Sequence, residues 1–133
     1  MAFIADNSVI IPWFSRNQAT PYTDRLYKRL EKDDLMVPSV WPYEFANALA
    51  VLERRKIVSR TLVDEVVARA ARLVTRIDAP PAAPSLLLSL ARRHGLSAYD
   101  AAYLELAQRL ATPLATRDSP LAAAAKRLDL LVD

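Results

Sequence analysis

Short apolar runs alternate along this chain with longer stretches in which apolar positions return every three or four residues. Phe3-Ile4-Ala5, Leu35-Met36-Val37-Pro38 and Pro113-Leu114-Ala115-Thr116 read as short buried strands, with Arg76-Ile77-Asp78 and Leu130-Leu131-Val132 as two more. The longer stretches read as helices. Thr20-Pro21 supplies an N-cap and a proline at the first helical position, and the pattern runs to about Lys32 with Leu26 and Leu30 on one face. Trp41 to Arg55 repeats Phe45, Leu49 and Leu52 at helical spacing, and Ser59 caps a helix to about Val74. Ser85 to His94 stops at Gly95, the residue type suited to a C-cap. Ser97 opens a helix to about Leu110, and Ser119-Pro120 starts the last one. Ser8 to about Ser15 predicts a short helix, weakened by Pro12 unless that proline falls in the first turn.

Strands separated by helices predict parallel pairing through right-handed crossovers, with helices on both faces of a short sheet. The predicted fold class is therefore α/β. A single glycine argues against a hairpin-rich all-β fold. At 133 residues the chain is sized for one domain, expected to span 1–133, with the Pro-rich Ala79–Pro84 stretch as an internal connection.

Composition narrows the chemistry. With no cysteine, disulfides and thiolate metal sites are excluded. No apolar run approaches a bilayer span, and Met1–Ile11 has no basic start before its apolar residues, so a cytoplasmic protein with no membrane contact is expected. The net charge of +3 does not by itself demand a nucleic-acid partner. Gathering four of the 15 acids into one pocket, however, leaves eleven facing 18 Lys and Arg elsewhere, which permits a phosphate-binding rim around an acidic centre.

Four acids occupy suggestive places. Asp6 ends the first strand and Asp118 follows a late one, where open α/β sheets build their sites. Glu44 and Asp100 fall in the first turns of two predicted helices. Each has a bland alternative: Asp6 as an Asx turn, Glu44 as a partner of the helix dipole, Asp100 in a cap with Ser97, Asp118 as an N-cap. Four carboxylates in one pocket raise each other's pKa unless a cation is present. Oxygen ligands without His or Cys suit Mg²⁺ or Mn²⁺, which polarise phosphoryl oxygens and activate water for phosphodiester hydrolysis.

Ile4-Ala5-Asp6-Asn7-Ser8 followed by Pro42-Tyr43-Glu44-Phe45-Ala46-Asn47-Ala48-Leu49 resembles the first two motifs of PIN domains. The stretch from Leu96 to Ala107, centred on Ala98-Tyr99-Asp100-Ala101-Ala102, is similar to the third and is the most specific in the chain. Leu114-Ala115-Thr116-Arg117-Asp118-Ser119-Pro120-Leu121 resembles the fourth. The likeness is greatest to VapC-type toxins of prokaryotic toxin–antitoxin pairs. It implies Mg²⁺- or Mn²⁺-dependent endoribonuclease activity on an RNA substrate, a homodimer, and inhibition by a small cognate VapB-like antitoxin. Carried over by position, Asp6, Glu44, Asp100 and Asp118 are the acidic metal-site set, with Asp6 and Asp100 touching the metal and Asp118 the most variable member. Ser8 and Thr116 match hydroxyl positions near that site, and Asn47 a polar position one turn after Glu44.

Other residues carry weaker signals. Arg117 stands beside the proposed site and is a candidate for holding a substrate phosphate. Arg54-Arg55-Lys56 and Arg92-Arg93 read as solvated helix ends rather than an RNA track, and His94 as a C-terminal dipole partner. Trp13, Phe14, Trp41 and Tyr43 are either core aromatics or anchors of a groove for an antitoxin helix. Tyr99 and Tyr103 bracket Asp100, and the sequence assigns neither to a base or to the core. The competing functions are a PIN nuclease outside toxin–antitoxin pairs, a non-catalytic RNA-binding domain, and a small-molecule binder, the last unsupported by any Gly-rich phosphate loop.

Overall fold

Phe3, Ile4 and Ala5 are wholly buried, as are Leu35 and Val37, because the strands that hold them lie in the middle of a sheet. The computed structural model describes residues 1–79 and 82–133; of the Pro-rich stretch, Pro80 and Pro81 lie outside the described residues. Strand β1 (Ala2–Ala5) pairs in parallel with β2 (Asp34–Val37), Phe3 opposite Leu35 and Ile4 opposite Met36. Strand β3 (Arg76–Ile77) extends the sheet beyond β2, and β4 (Leu114–Ala115) lies on the other side of β1. The order is β3-β2-β1-β4, all parallel.

Seven α-helices among the described residues, α1 (Asn7–Ile10), α2 (Pro21–Arg29), α3 (Trp41–Arg54), α4 (Arg60–Leu73), α5 (Pro84–His94), α6 (Ala98–Leu110) and α7 (Ser119–Arg127), flank the sheet. Their starts follow the sequence signals. Thr20 and Thr23 form a reciprocal capping box at α2, and Ser59 and Ser97 cap α4 and α6. Gly95 closes α5 in the left-handed conformation at φ 66°. Pro12 does not break α1 but converts its continuation into a 3₁₀ turn over Ile11–Phe14.

Two expectations change. The α2 pattern stops at Arg29 rather than near Lys32: amides 30 to 32 bond three residues back, and Arg29 Nε pairs with Asp33 at 2.6 Å. Leu130–Val132 is not a strand but a single parallel bridge, Leu114 with Leu131, since β4 is only two residues long and offers only Leu114 to pair with.

Helix α6 is the central piece. Ala101, Tyr103, Leu104, Leu106 and Ala107 are all buried, so the helix is apolar around most of its circumference and lies between β1 and β4 on one side and α5 and α7 on the other. Two acids are buried near its C-terminal half. Glu105 and Asp78 meet at Arg109, whose Nε lies 2.7 Å from Glu105 and whose Nη2 lies 2.5 Å from Asp78. This ion cluster ties α6 to the residue after β3. No helix among the described residues is long and apolar enough to cross a membrane.

Candidate active site

β1 has β2 on one side and β4 on the other, so the strand order reverses between β1 and β4 and their C-terminal ends lie side by side at the switch point. Asp6 is the first residue past β1 and the N-cap of α1. Its Oδ1 accepts from the Ser8 amide at 3.1 Å and from Ser8 Oγ at 2.5 Å; its Oδ2 accepts from Thr116 Oγ1 at 2.6 Å. The same hydroxyls accept from the loop after β4: the Arg117 amide donates to Ser8 Oγ at 2.7 Å and the Asp118 amide to Thr116 Oγ1 at 3.1 Å. Ser8 and Thr116 thus hold the Asp6 carboxylate and bind the two strand ends together.

The other three acids also stand at helix starts. Glu44 is in the first turn of α3 and accepts from the hydroxyl of buried Tyr103 at 2.8 Å. Asp100 is in the first turn of α6, where its amide donates to Ser97 Oγ at 3.1 Å. Asp118 caps α7 through Leu121 at 3.0 Å, leaving its other oxygen free of that bond. The local roles read from the sequence are therefore present for Asp6, Asp100 and Asp118, and they orient the carboxylates rather than consume them.

Electrostatics ties the set together. Burial, helped by the Asp100 charge, pushes the Asp6 carboxyl up to about 6 against the lowering effect of Ser8 and Thr116. Glu44 is raised by burial and again by Asp100; Asp100 is raised by burial and by Asp118. Asp100 thus stands in the field of each of the other three. Among the described residues none of the four forms a salt bridge to a Lys, Arg or His. Nor do three acids close into a ready-made cage for an ion. An open arrangement of this kind suits Mg²⁺, which takes one or two carboxylates directly and keeps several waters.

Other sequence candidates fall into place differently. Asn47 is exposed one turn beyond Glu44 on α3, and makes no hydrogen bond within the described residues. The Arg117 guanidinium is exposed and donates to the Gln18 carbonyl at 3.4 Å, so its amide rather than its charge is engaged at the site. His94 is not a charged dipole partner: it lies 3.1 Å from Arg127 Nη2, and burial with the Arg127 and Arg93 charges lowers its pKa. The four aromatics do not form one groove. Trp41 is buried, stacks on Phe45 and donates to Asn7 Oδ1 at 2.9 Å, while Trp13 donates to the Thr23 carbonyl and packs on Tyr27. Tyr43 is exposed next to Glu44, and Phe14 lines a separate apolar groove between α3, α4 and the 3₁₀ turn.

Two residues near the acids escaped the sequence reading. Tyr103 was undecided there and is the donor to Glu44; Tyr22 feels the charge of Asp6 and donates to the Val132 carbonyl at 2.9 Å. Tyr22 follows the N1 proline of α2, and nothing in that context marks it as a neighbour of Asp6.

The family model for the PIN domain matches residues 3–127, nearly the whole chain. This chain belongs to the PIN domain family. The matched span of the PIN domain takes in all four acids. Its fold is similar to the crystal structure of PAE2754 from Pyrobaculum aerophilum, at TM-score 0.71 and 24% identity over 93% of this chain and 79% of that one. It is also similar to VapBC2 from Rickettsia felis, solved bound to a DNA fragment from its promoter, at TM-score 0.69 and 13% identity over 99% of this chain and 96% of that one. Comparison with curated proteins finds no match.

Proposed function

We propose that residues 1–133 act as one divalent-metal-dependent endoribonuclease, the toxin of a type II toxin–antitoxin pair working in the cytoplasm. PIN domains are nucleases, and the observation that carries the reading is the set of acids itself: Asp6, Glu44 and Asp118 each coupled to Asp100 at the sheet switch point, with no Lys, Arg or His paired to any of them among the described residues. Such uncompensated charge is costly to the fold and fits a site that a Mg²⁺ or Mn²⁺ ion completes.

In this reading Asp6 and Asp100 hold the ion, while Glu44 and Asp118 act through water or through their field. When bound, the ion supplies Lewis-acid polarisation of the scissile phosphate and activation of water. The chain's own contribution is orientation. Ser8 and Thr116 fix both Asp6 oxygens, Tyr103 fixes Glu44, and the start of α6 carries Asp100 on a helix packed against β1, β4, α5 and α7. Asn47 and Arg117 are rim residues placed to meet the RNA.

The apolar groove of about 240 Å³ beside Phe14, bordered by exposed Ile57 and Leu62, supports an antitoxin helix as the occupant. The VapBC2 structure, a toxin–antitoxin pair by its name, supports the same partner class. The family likeness also implies a homodimer.

The test is cleavage of structured and single-stranded RNA with Mg²⁺, with Mn²⁺ and with EDTA, beside Asp6→Asn and Asp100→Asn. Cleavage that needs metal and disappears in both variants is the expected result. Metal-independent cleavage, or full activity in both variants, would overturn the reading.

A further inference from the structure

Tyr43 and Tyr99 are the exposed aromatic residues among the described residues, at 79% and 61%. Each stands immediately before one of the four acids, Tyr43 before Glu44 and Tyr99 before Asp100, in the first turns of α3 and α6. Both line a hollow of about 530 Å³ that also includes Glu44, Asn7 and Asn47, so two separate helices contribute a ring to one hollow beside Glu44. Both rings also border a second hollow of about 500 Å³ on the far side.

Nothing in the chain accounts for these rings. Neither hydroxyl makes a hydrogen bond within the described residues, and neither ring pairs with another aromatic, whereas buried Tyr103 one turn further along α6 donates to Glu44. The hollow between them is not merely apolar. The Asn7 Oδ1 is taken by Trp41 Nε1 at 2.9 Å, which leaves the Asn7 amide NH₂ as a free donor, and Asn47 offers both a donor and an acceptor. Flat faces beside amide donors and acceptors match one chemistry: a nucleobase, stacked on its face and bonded at its edge. A paired base is covered by its neighbours, so only unpaired RNA presents such a face.

We propose that Tyr43 and Tyr99, with Asn7 and Asn47, form a subsite that stacks and hydrogen-bonds an unpaired nucleobase beside the acidic site. This rests on the nuclease reading for the identity of the acidic site, but its test does not depend on cleavage. Fluorescence anisotropy in EDTA, which prevents cleavage, measures binding of a labelled 12-nucleotide single strand, the same sequence as a duplex, and the same strand with one central abasic residue. The variants are Tyr43→Ala, Tyr99→Ala and the corresponding Phe forms.

Each Ala variant is expected to weaken single-strand binding about fivefold to 150-fold, the span that corresponds to losing one base–aromatic stack. The Phe forms retain wild-type affinity to within about twofold, because stacking needs the ring and not the hydroxyl. The duplex binds the wild type no better than it binds the Ala variants, and the abasic strand loses affinity for wild type but not for those variants. Unchanged single-strand affinity in both Ala variants overturns the subsite, as does an equal loss for duplex or no binding of any RNA. Loss of self-association in the Ala variants with RNA affinity intact would make the rings a contact with a second copy and would also overturn it. Single-strand binding through the rings in a protein that never cuts RNA would leave the subsite standing and remove the nuclease.

Discussion

If Asp6 is kept ionised only at a cost to the fold, removing its charge should make the metal-free protein more stable. Asp6 is 6% exposed, and burial moves its carboxyl from 3.8 to about 6. A carboxylic acid with a raised pKa in the fold binds its proton more tightly there than in the unfolded chain. Its stabilising contribution is therefore complete at low pH and is lost as pH rises from about 4 to about 6. The full difference amounts to about 3 kcal/mol above pH 6. Asp6→Asn keeps the bonds from Ser8 to Oδ1, but its amide cannot accept from Thr116, whose hydroxyl must turn away; that offsets about 1 kcal/mol. In EDTA the variant should thus gain about 1–3 kcal/mol over wild type at pH 7.5, with the gain shrinking toward pH 4.5. Urea denaturation followed by circular dichroism at both pH values reads the difference directly. Saturating Mn²⁺ should raise wild-type stability and leave the variant unmoved. A variant less stable than wild type at pH 7.5, or a gap that does not depend on pH, would refute the claim that ionised Asp6 is a strained element of the apo fold.

Three further perturbations probe the framework around the acids. Tyr103→Phe removes, from a wholly buried ring, the one side-chain donor to Glu44 among the described residues, and should cost about 1–2 kcal/mol in urea melts at pH 7. Arg109→Leu leaves Asp78 and Glu105 buried without their main partner. It should cost about 2–4 kcal/mol, and adding Asp78→Asn and Glu105→Gln should restore most of it. Ala111 sits at φ 48° as the C-cap of α6, where a β-carbon is unfavourable, so Ala111→Gly should gain about 0.5–1 kcal/mol in thermal unfolding with no change elsewhere.

Much of the framework was legible because local signals agreed with the tertiary outcome. β1 and β2 are short apolar runs that end up buried, α3 and α4 carry a clear amphipathic period, and Ser59, Gly95, Ser97 and Asp118 cap the helices they adjoin. The placement of the four acids in the fold was legible for a related reason, since each stands at a strand end or a helix start. Leu130–Val132 misled because three apolar residues read the same whether they form a strand or one bridge on a two-residue neighbour. The choice between core and groove for Trp13, Phe14, Trp41 and Tyr43 stayed open because residues near in sequence part company in the fold, Trp13 against α2, Trp41 into the core, and Phe14 and Tyr43 into separate hollows. His94 looked like a dipole partner until the fold brought Arg127 against it. The Tyr103–Glu44 bond and the Asp78–Arg109 pair join positions 59 and 31 residues apart, and side-chain pairings at that range leave no local trace.

The most direct test of the central claim is calorimetric titration of Mn²⁺ into the metal-free protein at pH 7.5, beside Asp100→Asn, with unfolding curves to show that both are folded. Asp100 is the acid whose field reaches the other three. The account predicts saturable binding to wild type and its loss, or a weakening of at least about tenfold, in the variant. Equal Mn²⁺ affinity in the two folded proteins, or none in the wild type, would contradict it.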